Sequence, residues 1–195
     1  MNWKGYENIM SEEQKKSSKL KTIDIAYIGL SVALIAICSW ISIPLTVPIT
    51  LQTMGICLIS GLFGWKKGTL ATVVYIILGA IGVPIFAGFT SGVGIILNST
   101  GGYIIGFIFT ALIVGLVSDK CKGKLIPLIL SMVVGILVCY AFGTVWFAVV
   151  YAKSNDAASI GTILGWCVIP FLIPDAIKIA VAAVLTNRLK RFIKS

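Results

Sequence analysis

IAYIGLSVALIAICSWISI, residues 25–43, runs for nineteen positions without a charged side chain. A helix needs about 20 mostly apolar residues to cross the hydrocarbon core of a bilayer, so this stretch is predicted to be a membrane-spanning helix. A secretory signal would instead place a shorter apolar stretch close behind a basic start and end it at a small-residue cleavage site. The segment before it, residues 1–22, is polar, with Glu12, Glu13, Lys15, Lys16, Lys19 and Lys21. It reads as a cytoplasmic tail or an added leader that holds no core.

The same reading extends along the chain. With 58% hydrophobic and 12% charged residues in 195, and a mean hydropathy of +1.02, the chain has too little polar surface to cover a water-soluble globule. Further apolar runs follow at residues 49–65, 69–83, 100–117, 125–150 and 159–187. The expected architecture is an all-α integral membrane fold of six transmembrane helices in a single domain, residues 23–195. A tight turn is predicted at Lys66, Lys67 and Gly68, between helices 2 and 3. Between helices 3 and 4, apolar residues 85–97 read as an outer, folded-over wall, because residues 79–106 hold eight glycines together with Phe86 and Phe89. Such irregular backbone is tolerated at membrane depth where protein surrounds it.

Orientation follows from the lysines and arginines, which cytoplasmic loops retain. With the N-terminus inside, fourteen of the sixteen fall on the inner side: Lys4 to Lys21, Lys66 and Lys67, Lys120 to Lys124, and Arg188 to Lys194. Both termini are then cytoplasmic. Lys153 is outside, and Lys178 lies within a span.

Several function classes drop out. The net charge of +9 sits in short clusters between apolar segments, with no aromatic-interleaved basic surface for nucleic acid. There is no histidine, which removes imidazole metal centres and histidine-based nucleophilic catalysis, and the last span has no second buried carboxylate for acid–base work. No phosphate-cradling glycine motif occurs. Cys38, Cys57, Cys139 and Cys167 lie in apolar runs and Cys121 in a loop, without Cys-x-x-Cys spacing. They read as small hydrophobes rather than metal ligands.

Two ionisable groups stand inside a span. Asp175 and Lys178, in IPFLIPDAIKIAVAAVL (residues 169–185), each cost about 2.5–3.5 kcal/mol at mid-membrane. Three residues apart, they share one helix face, and Pro170 and Pro174 break or start the helix beside them. The pair reads either as an internal ion pair or as an acceptor and a donor offered to a polar ligand. Asn98, in LNSTGGY (residues 97–103), either binds an amide-like group or caps a helix. Gly101 and Gly102 allow close approach of a ligand or of a neighbouring helix, and Tyr103 brings an amphipathic ring. Gln52 is a buried amide that needs a partner. Ala26, Gly29 and Ala33, extended by Ala36, form a small-residue stripe for helix packing inside the bundle or against another membrane protein.

The segments IPLTVPITLQT (43–53), YIILGAIGVPIFAGF (75–89) and NSTGGYIIGF (98–107) resemble the BioY family of biotin transporters, and the likeness runs from about Ile25 to Leu189. The resemblance implies the substrate-binding S component of an energy-coupling factor transporter in a prokaryotic plasma membrane. Such a component binds biotin near the outer face and carries no ATPase or cofactor of its own. Its implied partners are a coupling membrane protein and two cytoplasmic ATPase subunits that use ATP. It also implies that Asn98, Asp175 and Lys178 bind biotin, with Gln52 and Tyr103 as wall residues, and that Ala26, Gly29 and Ala33 form the docking surface. The rival reading from the residues is a stand-alone secondary transporter or channel for a small polar solute, with Asp175 and Lys178 as its relay.

Overall fold

The computed structural model describes residues 22–121, 124–154 and 159–193, so the predicted N-terminal tail lies outside the described residues. The opening apolar run forms helix α1, Thr22–Trp40. It stops three residues short of the run's end because Ser42–Ile43 (β1) leaves the helix to pair antiparallel with Ile49–Thr50 (β2). Pro44 and Pro48 lie between the two strands, where a missing N–H costs no ladder bond. Leu51 N donates to the carbonyls of Cys38 and Ile41, closing the exposed end of α1.

The chain continues through α2 (Gln52–Ala80), a 3₁₀ turn (Ala87–Phe89), α3 (Val93–Leu97), α4 (Gly101–Lys120), α5 (Leu125–Ser154), α6 (Ile160–Cys167), a second 3₁₀ turn (Ile169–Phe171) and α7 (Leu172–Ile193). The described fold is thus almost entirely helical. Among the described residues, four helical stretches are long and apolar enough to cross a membrane: Thr22–Trp40, Gly101–Lys120, Leu125–Lys153 and Ile160–Phe192.

The two runs expected as helices 2 and 3 form one element, α2, with a sharp reversal. In a straight helix Gln52 and Tyr75 would lie about 34 Å apart, yet Gln52 Nε2 donates to the Tyr75 hydroxyl at 3.0 Å. A Cβ added to Gly68 would come within 2.7 Å of Ser60 Cα. The chain therefore folds back on itself, and it does so at Gly64 (φ 77°, ψ −176°), a backbone region open essentially to glycine alone. The turn predicted at Lys66–Gly68 thus falls earlier, with Lys66 and Lys67 already in the returning arm. A side chain at Gly64 would collide with the Asp119 carboxylate, which accepts from Trp65 N at 3.1 Å and so caps the returning arm. Nearby, Lys67 pairs with Asp24, and Ser118 Oγ donates to the Gly61 carbonyl at 2.6 Å while receiving Lys190. The basic residues of these segments cluster around this end of the bundle.

α4 packs between α2 and α5. Gly102 receives Trp146, Gly143 receives the Tyr103 ring, and Gly106 receives Cys139, so Gly102 serves helix packing, while a Cβ on Gly101 would strike the Ile96 carbonyl. Tyr75, Phe86, Ile56, Met132, Val114 and Phe147 are among the largest fully buried side chains. Cys38, Cys57, Cys139 and Cys167 are buried and Cys121 is partly exposed.

Candidate functional site

The segment entering the last helix sets the site. Its apolar run, expected as one span, is interrupted after Cys167 by the Ile169–Phe171 turn containing Pro170. α7 then starts at Leu172, placing Pro174 in the first turn, where a missing N–H is tolerated, and Asp175 directly after it as the first-turn acid. A carboxylate there is favoured by the helix dipole.

Asp175 and Lys178 are 3% and 6% exposed, and Lys178 Nζ lies 2.7 Å from Asp175 Oδ1. Thr53 Oγ1 donates to the same oxygen at 3.3 Å, and the Tyr140 hydroxyl donates to Oδ2. A carboxylate offers about four lone-pair sites. Three are engaged here, leaving room for one more donor. The Lys178 ammonium has three N–H donors, one of which is spent on Asp175.

These groups line a small cavity of ≈50 Å³ with Tyr103 and Phe107. A larger cavity of ≈140 Å³ shares Val47, Pro48, Thr50, Tyr103 and Phe107 with it and adds Gln52, Phe86 and Ile95. The two are therefore adjoining compartments roofed by the β1–β2 ribbon and the glycine-rich segment. Asp175 and Tyr140 also line an apolar groove of ≈370 Å³ between α5 and α7.

The structure brings four of the five predicted site residues to this space: Asp175, Lys178, Gln52 and Tyr103. Tyr103 is tethered by a 2.9 Å hydrogen bond between its hydroxyl and Thr144 Oγ1. Asn98 is elsewhere. It is exposed at the C-terminus of α3, its Oδ1 accepts from Ser99 Oγ at 2.9 Å, and its backbone carbonyl accepts from Trp146 Nε1 and Gly101 N. Its neighbours Ile95 and Thr100 line the larger cavity; its own side chain is folded onto the loop. Of the predicted wall aromatics, Phe86 is buried at the cavity, whereas Phe89 is 62% exposed and stacks on Trp40.

In the predicted docking stripe, Ala26, Gly29 and Ala33 are exposed, and a Cβ on Gly29 would meet nothing within 4 Å. Among the described residues, the stripe is left open at Gly29. Ala36 does not belong to it: it is buried near the end of α1 against which the ribbon and the first 3₁₀ turn pack.

A family model described as the BioY family matches residues 12–195. The chain belongs to the BioY family. Relatives in it include the biotin transporter BioY of Thermotoga maritima, 39% identical over 164 residues, which are 84% of this chain and 93% of that one. The probable biotin transporter BioY of Pyrococcus horikoshii is 37% identical over 172 residues, 88% of this chain and 98% of that one. Among solved structures, the S-component for biotin from an ECF-type ABC transporter superposes with a TM-score of 0.78 at 26% identity, covering 90% of this chain and 94% of that chain. This BioY chain is accordingly a multi-pass membrane protein with the fold of such components.

Thr53 and Tyr140 were not singled out by sequence reasoning. A signal existed for Tyr140: a tyrosine hydroxyl in the middle of an apolar run must find a hydrogen-bond partner when buried, and the buried acid 35 residues on was available to it. Thr53 carried no comparable signal.

Proposed function

We propose that this chain is the biotin-binding S component of an energy-coupling factor transporter, capturing biotin at the outer membrane face and delivering it inward with an ATP-driven module. The observation that carries the reading is the Asp175–Lys178 pair, buried at 2.7 Å and facing a cavity in a BioY family chain. Biotin presents a ureido ring with two N–H donors and one carbonyl acceptor, an apolar thioether ring and a carboxylate tail. Asp175 accepts a ureido N–H on its remaining lone pair. Lys178 donates to the ureido carbonyl or the tail carboxylate, and Tyr103, Phe107 and Phe86 cover the thioether ring. Asn98 joins the site by turning its side chain from the loop toward Ile95 and Thr100. Calorimetric titration of the purified protein should show saturable binding of one biotin per chain; heat flow without saturation would reject the reading.

In the membrane of a prokaryote we place six crossings, counting the two arms of α2 with the residues that flank them, about 49–63 and 65–83, as the second and third, with both termini cytoplasmic. Cys121 is the one partly exposed cysteine among the described residues, the rest being buried. An impermeant maleimide should therefore label it from the cytoplasmic side alone. Labelling from outside would invert the topology.

The exposed face of Ala26, Gly29 and Ala33 is the docking surface for the coupling membrane protein, which brings the two ATPase subunits. Gly29→Leu fills open space, so the isolated variant should bind biotin normally while module-dependent uptake falls about tenfold or more, as expected when small-residue contact is lost. Unimpaired uptake would move docking elsewhere. Uptake that stops on ATP depletion but persists with collapsed ion gradients supports this mechanism; the opposite pattern would favour a stand-alone secondary transporter.

A further inference from the structure

Gln52 lines the larger cavity and is 4% exposed. Which end of its amide faces a ligand is fixed by hydrogen-bond bookkeeping rather than by the shape of the side chain, since the two ends are nearly isosteric. The bonds start at the backbone carbonyl of Ile85, which can only accept. The Tyr75 hydroxyl lies 2.7 Å from it, an O···O separation that requires a proton between the two atoms. That proton comes from Tyr75. Having spent its one proton, the tyrosine oxygen can only accept from Gln52 at 3.0 Å, so the amide must turn its NH₂ toward Tyr75. The carbonyl end, Oε1, is then the end left for the cavity, and the one side-chain hydrogen bond of Gln52 among the described residues is made by its NH₂.

Tyr75 is fully buried and held edge-on by Phe86, so it cannot relax its demand by turning to water. Ser39 Oγ, shared with the Ala36 carbonyl, reaches the same Ile85 carbonyl and gives it a second partner.

We propose that Tyr75 is a positioning residue that locks Gln52 as an obligate acceptor, and that Gln52 Oε1 reads a second N–H of the ligand while Asp175 reads the first. This rests on biotin being the ligand, as argued above. It gives the site two acceptors for the two N–H groups of a cyclic urea, and Lys178 as a donor. Specificity then comes from polar groups that are left unpaired when an N–H is missing, which is a stronger filter than apolar fit.

The test uses the full chain in detergent and three ligands: biotin and its two analogues carrying a methyl on one or the other ureido nitrogen. Each analogue's dissociation constant is divided by that of biotin. In the wild type both ratios should be large. In Tyr75→Phe, which frees the amide to turn, the ratio should fall about tenfold for one analogue and stay unchanged for the other, a loss of the size of one hydrogen bond. Gln52→Leu should lower the ratio for that same analogue, which keeps the test decisive should Tyr75→Phe fail to fold. Ser39→Ala, which loosens the loop anchor without touching the amide, should leave both ratios unchanged. The proposal is overturned if both ratios move together, if neither moves in Tyr75→Phe and Gln52→Leu, or if Ser39→Ala reproduces the effect of Tyr75→Phe. Wild-type protein that binds no biotin would instead overturn the biotin reading itself, and this inference with it.

Discussion

Asp175→Asn is expected to weaken biotin binding by about 1.5–3 kcal/mol, roughly 10- to 150-fold, in a protein that still folds. Asparagine keeps the shape of the side chain but replaces one acceptor oxygen by a donor. The Tyr140 hydroxyl, Thr53, Lys178 and the ligand N–H all want an acceptor there, so at least one is turned away. Lys178→Ala acts differently. It leaves a buried carboxylate without its counter-charge, and removing one member of such a pair costs about 3–5 kcal/mol of stability. Combining Asp175→Asn with Lys178→Met should recover most of that stability without recovering affinity. Thermal unfolding and calorimetry on the same samples separate the two effects. Unchanged biotin affinity in Asp175→Asn and in the double variant would assign the pair to structure alone.

Gly64→Ala should carry the largest cost among the small substitutions. The backbone there has φ 77° and ψ −176°, where a non-glycine residue pays about 1–3 kcal/mol. The added methyl also meets the Asp119 carboxylate, an overpacking of on the order of 1–3 kcal/mol more. Because Asp119 caps the returning arm through Trp65 N, it cannot move aside without giving up that bond. A marked drop in unfolding temperature is expected, against almost none for Gly29→Ala, whose Cβ meets nothing within 4 Å. Equal behaviour of the two variants would mean that the reversal does not depend on Gly64.

Those two sites also mark what was readable beforehand. Asp175 and Lys178 were legible because a charge in an apolar run is costly enough to need a reason. The long apolar runs at 25–43, 100–117 and 125–150 were legible from length alone. The reversal in α2 was legible as an event but misplaced: the charges of Lys66 and Lys67 mark which end of the bundle faces polar surroundings, whereas the bend itself needs the one residue able to take a positive φ. The end of α1 was set by a tertiary partner, the β1–β2 ribbon, which no local pattern announces, whereas the break before α7 was legible in Pro170 and Pro174. Within the site, Thr53 and Asp175 meet across 122 residues, and Tyr75 reaches Gln52 across 23. A hydroxyl in an apolar run signals that it needs a partner but not which one. Asn98 shows the converse: its residue type suits a ligand, while its observed partners are Ser99 and, through its carbonyl, Trp146.

The central claim is that this chain holds biotin at Asp175 and Lys178. It is tested most directly by native mass spectrometry of the protein purified from biotin-fed cells, with the released ligand identified by its mass. The expected result is one biotin per chain in the wild type and little or none retained by Asp175→Asn. Wild-type protein that carries a different molecule, or an Asp175→Asn variant that retains biotin as fully as the wild type, would contradict it.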